Sequence, residues 1–164
     1  MNPESLNLHP ITPADDAAIA AIIRANLEQH DLALPGTVYF DPELEHLSQF
    51  YSAEPDKRGY FILQDDAGTV IGGVGYAEFP GFPDCTELQK LYLVDGAKGH
   101  GTGKALMEFV IAAARRAGYR NLYLETHTNL SVAVHLYEAL GFHRIEKPAC
   151  VRHSTMNQFF LLEC

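Results

Sequence analysis

The sequence predicts a mixed α/β sheet flanked by helices, in the order β-α-α-β-β-β-α-β-α-β-β, and three observations carry that prediction. Apolar residues recur at helical spacing in four separate stretches. Between them lie short runs rich in aromatic and branched residues, bounded by glycine, proline and aspartate. The length of 164 residues is close to the roughly 150-residue prior for one domain, and no repeat or linker divides it, so residues 1–164 read as a single domain.

The elements follow in order. After Leu6 and Leu8, the run Thr12-Pro13-Ala14-Asp15 places a cap residue, a proline at the first helical position and an acid three residues after the cap. Ile19, Ile22, Ile23 and Leu27 then lie on one face, which predicts a helix from about Pro13 to Gln29. Pro35-Gly36 breaks the chain, and Asp41-Pro42 repeats the cap-plus-proline signature ahead of Leu44, Leu47 and Phe50. A second, shorter helix is expected there. Tyr60 to Leu63, the turn Asp65-Asp66-Ala67-Gly68 and the run Val70 to Tyr76 form a hairpin. A third central strand runs from about Thr86 to Val94. A glycine-punctuated loop leads into the stripe Leu106, Phe109, Val110 and Ala113, which ends at Gly118. Asn121 to Thr126 is a strand, and Ala133, Leu136, Tyr137 and Leu140 a helical stripe closed by Gly141. Phe142 to Glu146 and Asn157 to Glu163 complete the sheet.

Composition narrows the function classes. With 47% hydrophobic and 20% charged residues, disorder of the whole chain is excluded. No stretch of about 18 apolar residues lacks charges, so no membrane span is expected. From Met1-Asn2-Pro3-Glu4 no signal peptide is expected, and three widely spaced cysteines suggest neither a disulfide framework nor a zinc knuckle. A cytoplasmic setting fits these features. A net charge of −9 argues against nucleic acid or anionic membrane as partner. The charge is unevenly placed: residues 25–56 carry seven acids and no Lys or Arg, whereas residues 96–120 carry five bases against Glu108 alone. A cationic substrate near the first and an anionic ligand near the second fit that division.

The chemistry concentrates where the third central strand ends. Leu91 to Lys104 reads as a strand, a loop with alternating glycines at Gly99, Gly101 and Gly103, and the start of an amphipathic helix. Glycines let the backbone approach a ligand closely, and the first turn of a helix offers unpaired N–H groups at the positive end of the dipole, which suits phosphate. The loop lacks both ends of a Walker A motif and fails the G-x-G-x-x-G fingerprint in either register. Among the eight histidines there is no i, i+4 pair and no H-E-x-x-H, so no metal is expected. Cys85 has no sequence-evident activator and reads as an incidental thiol.

Lys98-x-x-Gly101-x-Gly103 resembles the [RQ]-x-x-G-x-[GA] pyrophosphate loop of the GNAT superfamily, the acyl-CoA-dependent N-acyltransferases. About thirty residues on, Thr128-Asn129 and Leu136-Tyr137-Glu138-x-x-Gly141-Phe142 resemble the second characteristic segment of that superfamily, which contains [LF]-Y-x-x-x-G-F. The one departure in the loop is Lys98 in place of Arg or Gln, which neutralises phosphate without a bidentate fork. The resemblance is good from Tyr60 to Glu146 and architectural before that. It implies a mostly antiparallel GNAT-like sheet and acetyl-CoA as co-substrate. The backbone of Tyr92 and Leu93 would meet the pantetheine arm, and the amides of Lys98, Gly99, His100, Gly101, Thr102, Gly103 and Lys104 the pyrophosphate. Asn129 would contact the pantetheine. An N–H near Leu93 would hold the developing oxyanion. Glu87 is the candidate base, with Glu125 on the neighbouring strand in reserve, and Tyr137 the candidate acid toward the leaving sulfur.

The resulting expectation is direct acetyl transfer to the primary amine of a small molecule or peptide, with acceptor recognition in residues 31–60. A non-catalytic acyl-CoA sensor on the same fold is the alternative. Dimers are common in the resembled family, so a homodimer is compatible with it. Neither the acceptor nor the acyl-chain length is named by these residues.

Overall fold

The computed structural model describes residues 5–163. Eleven elements follow the expected order: β1 (Leu8–Pro10), α1 (Asp16–Gln29), α2 (Leu47–Ser52), β2 (Gly59–Gln64), β3 (Val70–Glu78), β4 (Cys85–Leu93), α3 (Thr102–Arg116), β5 (Asn121–Thr126), α4 (Ser131–Ala139), β6 (His143–Ile145) and β7 (Gln158–Glu163). The strands form one sheet in the order β1-β2-β3-β4-β5-β7-β6. Every neighbouring pair is antiparallel except β4 and β5. Among the described residues no helix is long and apolar enough to cross a membrane.

Local chemistry explains most boundaries. Pro13–Asp15 winds as a tight 3-10 turn before α1 begins at Asp16, and the Thr12 N–H donates to Asp15 Oδ2 at 2.9 Å. α1 buries Ile19, Ile22, Ile23 and Leu27, the stripe read from the sequence. The second helix differs from its expected start. α2 begins at Leu47, after a 3-10 turn over Leu44–His46, and Asp41 does not cap it. The Asp41 carboxylate instead meets His153 at 2.9 Å, a partner 112 residues away. An aspartate-proline pair fixes a turn, but which donor its carboxylate finds is decided by the fold.

The two faces of the sheet carry separate cores. α3 and α4 cover one face, where Leu106, Met107 and Val110 meet Leu88, Leu93, Leu122 and Phe160. α1 and α2 cover the other, where Ile19, Ile23, Leu27 and Tyr51 pack around Tyr60 and Ile62.

Two irregularities in the sheet position the site. The parallel β4 and β5 pair only from Cys85 to Glu87 against Asn121 to Tyr123, and part beyond that point. The strand ends thereby open a cleft. The second irregularity is a bulge in β4: Gly75 pairs with Gln89 but Gly73 with Tyr92, so β4 carries one extra residue. Lys90 takes up the slack at φ +54°, a left-handed conformation costing about 1–2 kcal/mol for a residue with a side chain. The Tyr60 ring holds this bulge. It lies across β3, where a Cβ at Gly73 or Gly75 would stand 2.6 or 2.5 Å from ring atoms, and its hydroxyl donates to the Lys90 carbonyl at 2.8 Å.

Candidate active site

The cleft is a cavity of about 770 Å³ running from the start of α3 to the diverging ends of β4 and β5. Its two ends are built differently.

At the first end, Gly101 is the N-cap of α3 at φ +78°, and Gly99 precedes it at φ +80°. Such angles are open to glycine and strained for other residues. Lys98 N–H donates to the Asp95 carbonyl at 3.1 Å, so this amide, expected to face a ligand, has a partner within the chain. Among the described residues the amides of Gly99, His100, Gly101, Gly103 and Lys104 have no protein carbonyl as partner; they are the unpaired donors of a helix start. The Lys98 ammonium is also held inside the chain, donating to Asn26 Oδ1 at 2.7 Å and Asp95 Oδ1 at 3.0 Å. His100 and Lys104 are exposed, and the Lys104 ammonium stands 3.9 Å from Glu108.

Tyr92 and Leu93 form the wall beside the loop. Val94 N–H donates to the Ile71 carbonyl, and the alternation of an antiparallel ladder then turns the main-chain groups of Leu93 away from β3. The Leu93 carbonyl accepts from Asn26 Nδ2 at 2.9 Å. Asn26 thus joins β4 to Lys98, a link the sequence reading missed because the two positions lie 72 residues apart. Tyr137 lines the same cavity from α4, its ring against Phe142 and Phe160. Burial pushes its phenol up to about 12, so it keeps its proton at neutral pH. Burial and the neighbouring Tyr137 raise the Tyr92 phenol as well. Asn129 lines the cavity, with its side chain donating to the His30 carbonyl at 2.9 Å.

The second end is a network of side chains. Glu87 Oε1 accepts from Gln89 Nε2 at 2.8 Å, and Gln89 Oε1 accepts from the Tyr51 hydroxyl at 2.7 Å. Glu87 Oε2 has no hydrogen-bond partner among the described residues. Burial, reinforced by nearby Glu125, raises the Glu87 carboxyl above its ordinary range. Both oxygens of Glu125 are engaged, one by the Tyr123 hydroxyl at 2.8 Å and one by His153 Nδ1 at 3.1 Å. Of the two carboxylates, Glu87 is therefore the one with an oxygen available to a ligand.

His153 bridges Glu125 and Asp41. Desolvation alone would lower its pKa, but the hydrogen bonds to the two carboxylates outweigh that and lift it to about 9. It is an imidazolium at neutral pH, donating from both nitrogens. Its partners lie at positions 41 and 125, and no spacing in the sequence announces them.

The family model described as the Acetyltransferase (GNAT) family matches residues 23–142. The uncharacterized N-acetyltransferase YjgM of Escherichia coli K12 is 37% identical over 146 residues, which is 88% of this chain and 86% of that protein. Among solved structures, a GNAT-family acetyltransferase from Staphylococcus aureus Mu50 superposes with a TM-score of 0.84 at 16% identity, covering 97% of this chain and 99% of the other. A GNAT superfamily phosphinothricin acetyltransferase from Sinorhizobium meliloti, solved with AcCoA, gives a TM-score of 0.76 at 20% identity, covering 97% and 88%. Sequence match and shared fold agree with the loop, the cleft and the divided parallel strands: this chain belongs to the GNAT family of acetyltransferases.

Proposed function

We propose that this chain transfers an acetyl group from acetyl-CoA to a primary amine, with both substrates bound together. The observation that carries the reading is the single cavity that joins Gly99 and Gly103 at the α3 loop to Tyr137 and Glu87.

The loop fits a diphosphate. Its unpaired amides lie at a helix N-terminus, where negative charge is favoured. A Cβ at Gly99 would meet nothing within 4 Å, and one at Gly103 only Leu136 at 3.8 Å. The glycines thus leave open space outside the fold, where a ligand can approach the backbone. Lys98 contributes charge from behind the loop rather than a direct fork. When bound, acetyl-CoA supplies the activated acyl group and a thiolate leaving group. The fold neighbour solved with AcCoA supports that choice of co-substrate.

The remaining work belongs to this chain's residues. The Leu93 N–H polarises the thioester carbonyl and stabilises the charge developing on its oxygen. An amine of the lysine type has a pKa near 10.4 and must lose a proton to attack. Glu87 accepts that proton through water, and its raised pKa makes it a better base than an ordinary carboxylate. As the new C–N bond forms and the C–S bond breaks, Tyr137 faces the departing sulfur as a protonated donor. Holding the two reactants together supplies proximity and orientation.

Incubation with acetyl-CoA and a panel of amines, followed by free thiol, tests this. Amine-dependent thiol release is expected. Stabilisation by CoA with no turnover on a broad panel would instead favour the sensor reading.

A further inference from the structure

The acceptor end of the cavity contains a cation that the transfer as described does not use. The bulge in β4 turns both Gln89 and Lys90 toward the side of the sheet that bears Glu87, α1 and α2, while Leu88, Leu91 and Leu93 face the other core. Lys90 is only 8% exposed yet lines the cavity. Among the described residues its ammonium has no hydrogen bond and no ion pair. Its near neighbours are the ring faces of Phe50 and Tyr51, with Nζ 5.9 and 6.0 Å from their centroids.

The carboxylates whose fields reach Lys90 are Asp41, Glu87 and Glu43; none forms an ion pair with it, and Glu87 alone keeps one oxygen without a hydrogen-bond partner among the described residues. Asp41 is paired with His153 at 2.9 Å, Glu43 with Arg152 at 3.5 Å, and Glu87 with Gln89. Burial accordingly pulls Lys90 below the usual lysine range, although these three carboxylates oppose it. Apart from the two rings, the ammonium meets only the cavity and has no partner of its own, a costly position for a mostly buried cation, and the left-handed backbone beneath it adds strain. Both features favour a site that an anionic ligand completes.

We propose that Lys90 binds the carboxylate of the acceptor, and that the acceptor is an α-amino acid or close analogue whose amine faces Glu87. The proposal rests on the acetyl-transfer reading above. Glu87 and Lys90 stand three residues apart on one face of one strand, which suits a small molecule whose amine and carboxylate are separated by few bonds. A buried cation beside the base also disfavours a polyamine, whose second ammonium it would repel.

The test uses acetyl-CoA and three matched sets of acceptors: neutral L-amino acids, their α-carboxamides and the corresponding decarboxylated amines. The expected result is a kcat/KM for the acids roughly 10- to 100-fold above the amides and amines, the range of a charge-assisted hydrogen bond. In Lys90→Met this ratio should fall to about one, while Lys90→Arg should restore part of it, with thermal melting confirming that both variants fold. Amides or amines turned over as well as acids by the unmodified protein would overturn this proposal and leave acetyl transfer intact. A preference that persists in Lys90→Met would do the same. Absence of thiol release with all three sets, with release on other amines, would overturn this proposal alone; no release with any amine of the broad panel would overturn the transfer reading as well.

Discussion

The two ends of the cavity are made of different material. The loop end is one continuous stretch, Asp95 to Lys104, which offers main-chain amides and whose shape depends on positive-φ glycines. The opposite end is assembled from the side chains of Asp41, Glu87, Gln89, Glu125 and His153, hydrogen-bonded to one another or to neighbouring side chains, with Lys90 beside them. A backbone site tolerates changes of side chain but not of conformation. A side-chain network is changed by single substitutions that leave the fold alone.

That contrast can be broken at several points. The largest effect is expected at Gly101→Val. A β-branched residue at φ +78° is strained, so the backbone turn that starts α3 would have to change. Calorimetry should show CoA binding lost while the chain still melts cooperatively; normal affinity would mean the loop does not hold the coenzyme. Next is Tyr137→Phe, which keeps the ring packing and removes the hydroxyl. We expect kcat to fall roughly 100- to 1,000-fold with CoA affinity nearly intact, because the interaction forms as charge builds on sulfur. An unchanged kcat would remove Tyr137 from the reaction.

Glu87→Gln should lower kcat/KM roughly 100-fold and change the pH profile. In the unmodified protein, activity should rise with pH as the Glu87 carboxyl, raised above its ordinary value by burial, loses its proton. That limb should vanish in the variant. If it persists, another group accepts the proton.

The smallest effect is expected at His153→Gln, and it concerns stability. The folded pKa of His153, about 9, lies above the ordinary 6.5, so its pairing stabilises the protein fully below pH 6.5 and is lost as pH rises toward 9. The difference in Tm between the unmodified protein and the variant should therefore be greatest in weak acid and shrink through that window. A difference that does not change with pH would show that His153 is uncharged in the fold.

The element order and the helix faces were legible in the sequence because both follow from periodicity and from cap and turn residues within a few positions. The shape of the glycine loop was legible for the same reason, since alternating glycines before an amphipathic helix state their conformation locally. Asp41 shows where such reading ends. Its sequence context was that of a helix cap, and its carboxylate found a histidine in a loop near the other end of the chain. Lys90 gave no signal of its own. The indirect trace was Gly72-Gly73-Val74-Gly75, three glycines within one strand, which mark a close approach of something large. Only the fold identifies that neighbour as Tyr60 and shows its hydroxyl on the bulge carbonyl.

By itself, then, the sequence determined the layers, the order of strands and helices along the chain, and the glycine turn before α3, because each depends on short-range sterics and patterning. The tertiary structure decided the parting of β4 from β5, the bulge that turns Lys90 inward, and the Asp41–His153–Glu125 chain of ion pairs. These depend on which side chains become neighbours after collapse, when burial strengthens each charge and hydrogen bond and leaves an unmatched one exposed as a site.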